Sequence, residues 1–228
     1  MQLRECVWRK LLKIPAAPLP RISKTFDKSE TWLQQAVTFD HDVRRMPVLH
    51  KQNVQKIVMR HAATMPNHGY CQGHLYILYV LGAVFRDEAS IYWAYARMCQ
   101  RVRCFGPDTY SSRRKLPSWV LQRAIDTTHL EVDTWDLLLR MRWLFIMFGQ
   151  TFTSYRCLCA VWDYVIHTKQ RLLCMCAALL QHAFSKSDLY RQEPLEYARE
   201  IVAIKINDIE TTATIIAQAQ AIERELLN

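Results

Sequence analysis

The sequence FDHDVRR at residues 39–45 and the sequence GYCQG at residues 69–73 are the two polar segments around which the chain is organised. Apolar residues between them recur at helical spacing: Val54, Ile57, Val58 and Ala62. This spacing predicts a helix that joins the two segments. Arg45 in the first segment and Gln72 in the second are the two polar candidates for a functional site.

Proline and glycine predict how these two side chains are presented. Pro47 is a poor residue for a helix interior, so we expect Arg45 on or beside a loop, where a side chain can reach out. After the turn at Gly69, the stretch from Tyr70 to Phe85 is apolar on nearly all sides beyond Gly73. We therefore predict a buried helix whose N-terminal turn points Gln72 outward.

Residue types along the whole chain predict an all-α fold. The chain has only five glycines and no sustained two-residue alternation, so strand content should be close to nil. We expect one domain, residues 1–228, with an N-terminal lobe at about 1–106 and a C-terminal lobe at about 107–228. The boundary falls in the loop-like stretch FGPDTYSS, residues 105–112.

The first helix should stop at Ile14-Pro15, because proline disfavours helix in the residue before it. It should carry its apolar residues on one side: Leu3, Val7, Leu11 and Leu12. Core aromatic residues are predicted at three tryptophans: Trp8, Trp143 and Trp162. The last helix should run from Asp208 to Leu227, with Asp208 as a candidate cap.

Composition and charge limit the classes of protein to which the chain can belong. Hydrophobic residues make up 50% of the 228 and charged residues 22%, which is typical of a globular chain and argues against disorder. The formal net charge of +9 attracts acidic surfaces, which could belong to nucleic acid, anionic lipid or a protein. A run of basic residues contributes to this charge and is either a solvated face or a site for an acidic partner or anionic lipid. This basic run consists of Arg101, Arg103, Arg113, Arg114 and Lys115.

Eight cysteines occur without a C-x-x-C pair, and the polar start carries no recognisable secretion signal, so we expect a reducing cytoplasmic environment. Cys157-x-Cys159 and Cys174-x-Cys176 lie in helical patterns, where residues two apart suit a shared metal poorly. Buried free thiols are the favoured interpretation. The apolar run from Leu75 to Phe85 is shorter than the ~18 residues of a membrane span, so no crossing of a bilayer is predicted.

The two polar segments resemble the TBC-domain GTPase-activating proteins for Rab GTPases, whose signatures are I-x-x-D-x-x-R and Y-x-Q. Here they read Phe39-x-x-Asp42-x-x-Arg45 and Tyr70-x-Gln72. Three more elements match in order, so that the resemblance spans roughly residues 4 to 182: Arg4-x-x-x-Trp8, Arg142-Trp143 and Trp162-Asp163.

This resemblance implies a two-lobed helical domain with a role in vesicle trafficking. It implies that Arg45 and Gln72 are catalytic residues, supplied in trans to a Rab-family GTPase in its GTP form. Residues of a supporting motif would hold them in place: Arg4, Trp8, Asp42, Tyr70 and Gly73. No cofactor of the chain's own is implied, because GTP and magnesium belong to the GTPase. We expect a monomer that binds no nucleic acid, with peripheral association with endomembranes as a further expectation.

Three positions depart from the family pattern. Met46 replaces the usual threonine, Pro47 comes one position early, and His74 replaces the usual methionine. These changes bear on turnover more than on fold, and His74 is more often a satisfied core group than a titrating one. A TBC-like adaptor that binds a GTPase without accelerating it is therefore an alternative, and a basic helical scaffold for nucleic acid or membrane is a third. The chain has neither a G-x-S-x-G elbow nor a P-loop, so we expect no hydrolytic nucleophile and no nucleotide site of its own.

Overall fold

The computed structural model describes residues 2–22, 26, 30–45, 51–64, 70–102, 115–128, 130–186 and 193–227. The chain folds as two compact units, Met1–Arg103 and Cys104–Asn228. The lobe boundary predicted at residues 105–112 lies outside the described residues. The expectation that both units form one domain stays a prediction.

The described residues of the first unit form five helices: α1 (Gln2–Leu11), α2 (Glu30–Arg45), α3 (Lys51–Thr64), α4 (His74–Val84) and α5 (Glu88–Val102). Those of the second unit form six helices and a π-helical turn at Arg140–Leu144: α6 (Ser118–Thr128), α7 (Val132–Leu139), α8 (Tyr155–Val165), α9 (Lys169–Ser185), α10 (Pro194–Val202) and α11 (Ile209–Leu227). Across the described ranges there is no strand beyond an isolated bridge between Phe152 and Ile206. The predicted all-α fold is confirmed.

Helix α4 is the most buried element of the first unit. Its sequence, HLYILYVLGAV, has apolar residues on nearly every side, and seven of its residues are buried: His74, Leu75, Ile77, Leu78, Val80, Leu81 and Val84. It packs against α5, which also contacts α3. The predicted buried helix is confirmed, but it begins at His74 rather than Tyr70. Gly73 has φ 91°, a left-handed conformation that cannot continue into the helix.

The apolar side predicted for α1 is buried only in part. Leu3 is 79% exposed and Val7 is 42% exposed, whereas Trp8 and Leu12 are buried. The large indole sets the inward face, and residues four apart share that face on a helix, so half-buried Arg4 lies on the same side as Trp8. The spacing of Arg4-x-x-x-Trp8 therefore marks the inward side of α1.

Polar side chains fasten α1 to the rest of the first unit. Arg9 donates to the Asp87 carboxylate at 2.9 Å, and Arg101 donates to the Leu11 carbonyl at 3.0 Å. The helix ends before the predicted stop at Ile14, because Lys13 adopts φ 50° in a Schellman motif.

Several buried polar groups of the second unit find partners within it. The Asp136 carboxylate accepts from the Leu116 backbone N–H at 2.5 Å and forms a buried ion pair with Arg140 at 2.7 Å. The indoles of Trp143 and Trp162 each donate to a backbone carbonyl at 3.1 Å. Trp8, Trp143 and Trp162 are all fully buried, as predicted.

Further predictions about the second unit can be compared with the structure. The carboxylate of Asp208 accepts from the Thr211 N–H at 2.7 Å, which confirms the predicted cap of α11. The predicted buried thiols are confirmed as unbridged: Cys157, Cys159, Cys174 and Cys176. No helix in the part of the chain that the structure describes combines the length and the apolar character that crossing a membrane requires.

Candidate functional site

A single buried carboxylate joins the two polar segments. The Tyr70 hydroxyl donates to Asp42 Oδ2 at 2.5 Å, and the Gly73 backbone N–H donates to the same oxygen at 2.7 Å. Asp42 lies one turn before the end of α2, while Gly73 is the N-cap of α4. The two sequence motifs are therefore joined by direct hydrogen bonds between their side chains and backbone.

Aromatic packing surrounds this carboxylate. The Phe39 ring meets the Tyr70 ring edge to face, with centroids 5.6 Å apart, and the Trp32 ring centroid lies 5.9 Å from that of Phe39. Phe39 precedes Asp42 by three residues, so both face inward from the same side of α2. This explains why the first motif needs an apolar residue at its start: that residue supplies the surface on which Tyr70 packs.

The helix ends explain why an acid suits position 42. The C-terminal end of a helix disfavours negative charge and the N-terminal end favours it. Asp42 sits near the unfavourable end of α2, but its carboxylate reaches the start of α4, where Gly73 has no side chain that could cap the helix. A residue of one helix thus supplies the negative charge at the N-terminus of another.

Burial keeps the Tyr70 hydroxyl protonated. Removal from water raises the pKa of Tyr70 far above its ordinary value, and the hydrogen bond to Asp42 raises it further. The hydroxyl is therefore a permanent donor to the carboxylate across the physiological range.

Gln35 is a third contact between α2 and the second segment, and the sequence analysis missed it. Its Oε1 accepts from the Tyr70 backbone N–H at 2.7 Å. Gln35 precedes Asp42 by seven residues, about two helical turns, and so lies on the same face of α2. That spacing was visible in the sequence, but it does not reveal that the partner is a backbone amide 35 residues away.

Gln72 lies inside the segment that these contacts hold. It occupies the turn before α4 and is exposed, in agreement with the prediction that it points outward. Tyr70 and Gly73, which lie on either side of it along the chain, are buried. The backbone is thus anchored around a side chain that faces solvent.

Arg45 is the last residue of α2, at the helix boundary where we predicted it on or beside a loop. It follows Asp42 by three residues, about 4.5 Å of helical rise, so its backbone is close to the contact between Asp42 and Gly73. The Arg45 side chain and the predicted break at Pro47 lie outside the described residues. The approach of Arg45 and Gln72 on one concave surface stays a prediction.

His74, a departure from the family pattern, is a core residue. It is buried, with Nδ1 3.2 Å from the Tyr95 hydroxyl and 3.7 Å from Cys99 Sγ, and its ring stacks edge to face on Tyr70. Burial lowers the pKa of His74 to about 3, with a further contribution from nearby His61. The ring is therefore a neutral core group at physiological pH rather than a titrating one.

The basic run is only partly described. Arg101 is half-buried and donates to the Leu11 carbonyl, while Lys115 forms an ion pair with Asp133 at 2.6 Å. The other three members lie outside the described residues. Two of the five cations thus have partners within the chain, which favours a structural role for them.

Comparison with known families agrees with the motifs. The model of the family described as the Rab-GTPase-TBC domain matches residues 1–189, which is most of the chain. A comparison with curated proteins gives no match. The matched region contains α1 and the segments joined by Asp42, and it reaches beyond α9. The chain therefore belongs to the Rab-GTPase-TBC domain family, which implies a function like that of a GTPase-activating protein for a Rab GTPase.

Proposed function

We propose that this chain accelerates GTP hydrolysis by a Rab-family GTPase in its GTP form, by supplying Arg45 and Gln72 in trans. The observation that carries the proposal is the Asp42 carboxylate, which binds Tyr70 and Gly73 and so joins the end of α2 to the start of α4. A catalytic arrangement that is divided between two segments needs a contact of this kind. Each of its two side chains acts only if the other is held in the correct position relative to it.

Arg45 would neutralise the charge that develops on the transferring phosphoryl group. Its guanidinium is planar and always charged, and it can donate to two phosphate oxygens at once. A position at the end of a helix suits this role, since the backbone is fixed up to that residue while the side chain extends beyond it. GTP and magnesium would be contributed by the GTPase.

Gln72 would orient the attacking water through its side-chain amide, in place of the glutamine of the GTPase. Two observations support this role. The side chain is exposed, and the backbone on both sides is held by hydrogen bonds from α2. An amide on an anchored backbone can fix a water molecule with little loss of entropy on binding.

A panel of GTP-loaded Rab proteins tests the proposal. Phosphate release under single turnover should rise with the wild-type chain for at least one Rab, and should fall with Gln72→Ala. Gln100→Ala is the matched control, because Gln100 is an exposed glutamine near the end of α5. If Gln72→Ala stimulates the same Rab as well as wild type does, the role of Gln72 is wrong.

The adaptor remains the alternative, because Met46 and His74 both depart from the family at positions beside the proposed catalytic residues. Binding of a Rab without any acceleration would favour it. The basic scaffold is the third candidate, and it requires an affinity for nucleic acid or liposomes that collapses with salt. We further propose that the chain acts as a cytoplasmic monomer in vesicle trafficking, with peripheral association with endomembranes.

A further inference from the structure

The segment Tyr70–Gly73 is held from both ends by one face of α2. At its start, Gln35 Oε1 accepts from the Tyr70 backbone N–H at 2.7 Å. At its end, Asp42 accepts from the Gly73 backbone N–H at 2.7 Å. The two backbone bonds bracket Cys71 and Gln72, so the placement of Gln72 depends on both.

We propose that Gln35 is a positioning residue for Gln72, an inference that rests on the proposed function of Gln72. In this role Gln35 acts through the backbone of Tyr70, to which its side chain is hydrogen-bonded. Its contribution is to fix where the segment Tyr70–Gly73 begins relative to α2. This also fixes the segment relative to Arg45, which is at the end of the same helix.

The chemistry of the contact explains why position 35 needs an acceptor. Tyr70 precedes α4 and lies outside it, so its N–H takes no part in the hydrogen bonds of that helix and is bonded by Gln35 instead. The donor is a backbone amide, which can only donate, and this requires that Gln35 present its carbonyl oxygen rather than its NH₂ group. A side chain of the same length without an acceptor would leave the N–H of a largely buried residue unsatisfied.

Asp42 alone does not fix the segment. Its two contacts hold the Tyr70 ring and Gly73, whereas the peptide group that leads into Tyr70 is held by Gln35. Without Gln35, that peptide can turn about the anchored ring, and Cys71 and Gln72 turn with it. Misplacement of a catalytic group by about 1 Å can cost about a hundredfold in rate.

Gln35→Met tests the proposal, because methionine keeps the length of the side chain and removes the acceptor. With a responsive Rab, we expect the maximal single-turnover rate to fall by about tenfold or more. The chain concentration that gives half the maximal rate should stay within about twofold, because the Gln35 side chain is engaged with the Tyr70 backbone and a positioning role affects the reaction step rather than binding. Gln100→Met, the same substitution at the exposed glutamine of α5, is the matched control and should keep the wild-type rate.

Gln35→Glu separates positioning from packing. Its carboxylate keeps an acceptor at the same distance, so the rate should stay within about threefold of wild type. This variant also keeps the test decisive if Gln35→Met fails to fold. A loss in Gln35→Glu as large as that in Gln35→Met would overturn the proposal.

The dependence on Gln72 is the most specific prediction. In a Gln72→Ala background, Gln35→Met should have no further effect on the rate, because the residue it positions has been removed. In an Arg45→Lys background its effect should persist. An undiminished loss in the Gln72→Ala background would show that Gln35 merely stabilises the unit, and would overturn the inference.

Hydrogen exchange tests the contact without any GTPase. The Tyr70 amide should exchange at least about tenfold faster in Gln35→Met than in wild type, while amides within α4 keep their protection. Unchanged exchange at Tyr70 would overturn the inference whatever the kinetics. If Gln72→Ala has no effect on any Rab, the proposed function fails instead, and exchange at Tyr70 then decides whether Gln35 holds the segment.

Discussion

Gly73 is the residue at which the backbone turns from the extended segment into α4, with φ 91° and ψ −11°. A side chain in this left-handed region costs about 1–2 kcal/mol, so Gly73→Ala should destabilise the chain by about that amount. Gly82→Ala is the control, because an added Cβ there meets nothing within 4 Å. Alanine in the helix should stabilise by about 0.5–1 kcal/mol. Urea unfolding measures the change in the free energy of unfolding for each substitution. A change of the same sign for both substitutions would contradict the assigned conformation of Gly73.

His74 makes the stability of the first unit sensitive to acid. Its pKa is about 3 when folded and 6.5 in the reference state, so acid protonates the unfolded chain first and favours unfolding. Stability should fall as pH drops through 6.5, and the loss should level off near pH 3. Between about pH 7.5 and about pH 5, wild type should lose about 2 kcal/mol more than His74→Met does. Urea midpoints at the two pH values measure this, and parallel losses in both proteins would mean that His74 titrates normally.

At the scale of elements, α2 and the start of α4 are connected by the Asp42 carboxylate, which accepts hydrogen bonds from Tyr70 and Gly73. Tyr70→Phe keeps the packing on Phe39 and removes one donor to a buried charge, which should cost about 1.5–3 kcal/mol. Tyr76→Phe, on a half-buried tyrosine of α4, is the control and should cost less than about 0.5 kcal/mol. In a double-mutant cycle with Asp42→Asn, the coupling should lie between about 0.5 and 3 kcal/mol. Additive losses would show that the contact contributes nothing of its own.

The same elements show what the sequence could and could not predict. Helix α4 was predictable because its apolar residues cover nearly every side, and the two motifs were predictable as neighbours from the family resemblance. The Gln35 contact was not, because its partner is a backbone amide that looks the same at every position in a sequence. The burial of Trp8 was predictable from its large apolar surface, whereas the exposure of Leu3 and Val7 was not, because apolar spacing alone does not show which residues share the inward side with the indole.

At the scale of the whole molecule, each unit is held by packing and internal hydrogen bonds. The described thiols are unbridged, and five of them are buried: Cys99, Cys157, Cys159, Cys174 and Cys176. We expect the helical circular dichroism to stay unchanged on addition of a reductant or a chelator, since the described residues contain neither a disulfide nor a group of three or more side chains that could hold a metal ion. A large loss of helix with either one would reveal a disulfide or a metal that holds the fold.

We propose above that Arg45 acts on the nucleotide of a Rab GTPase. An arginine supplied in trans accelerates hydrolysis by about 10³ to 10⁵, and lysine keeps the charge but loses the two-pronged contact. The most direct measurement is the single-turnover rate of a responsive Rab with Arg45→Lys, compared with Arg44→Lys at the exposed neighbouring position. We predict that Arg45→Lys loses most of the stimulation while Arg44→Lys keeps it. Equal stimulation by wild type and Arg45→Lys would contradict the claim.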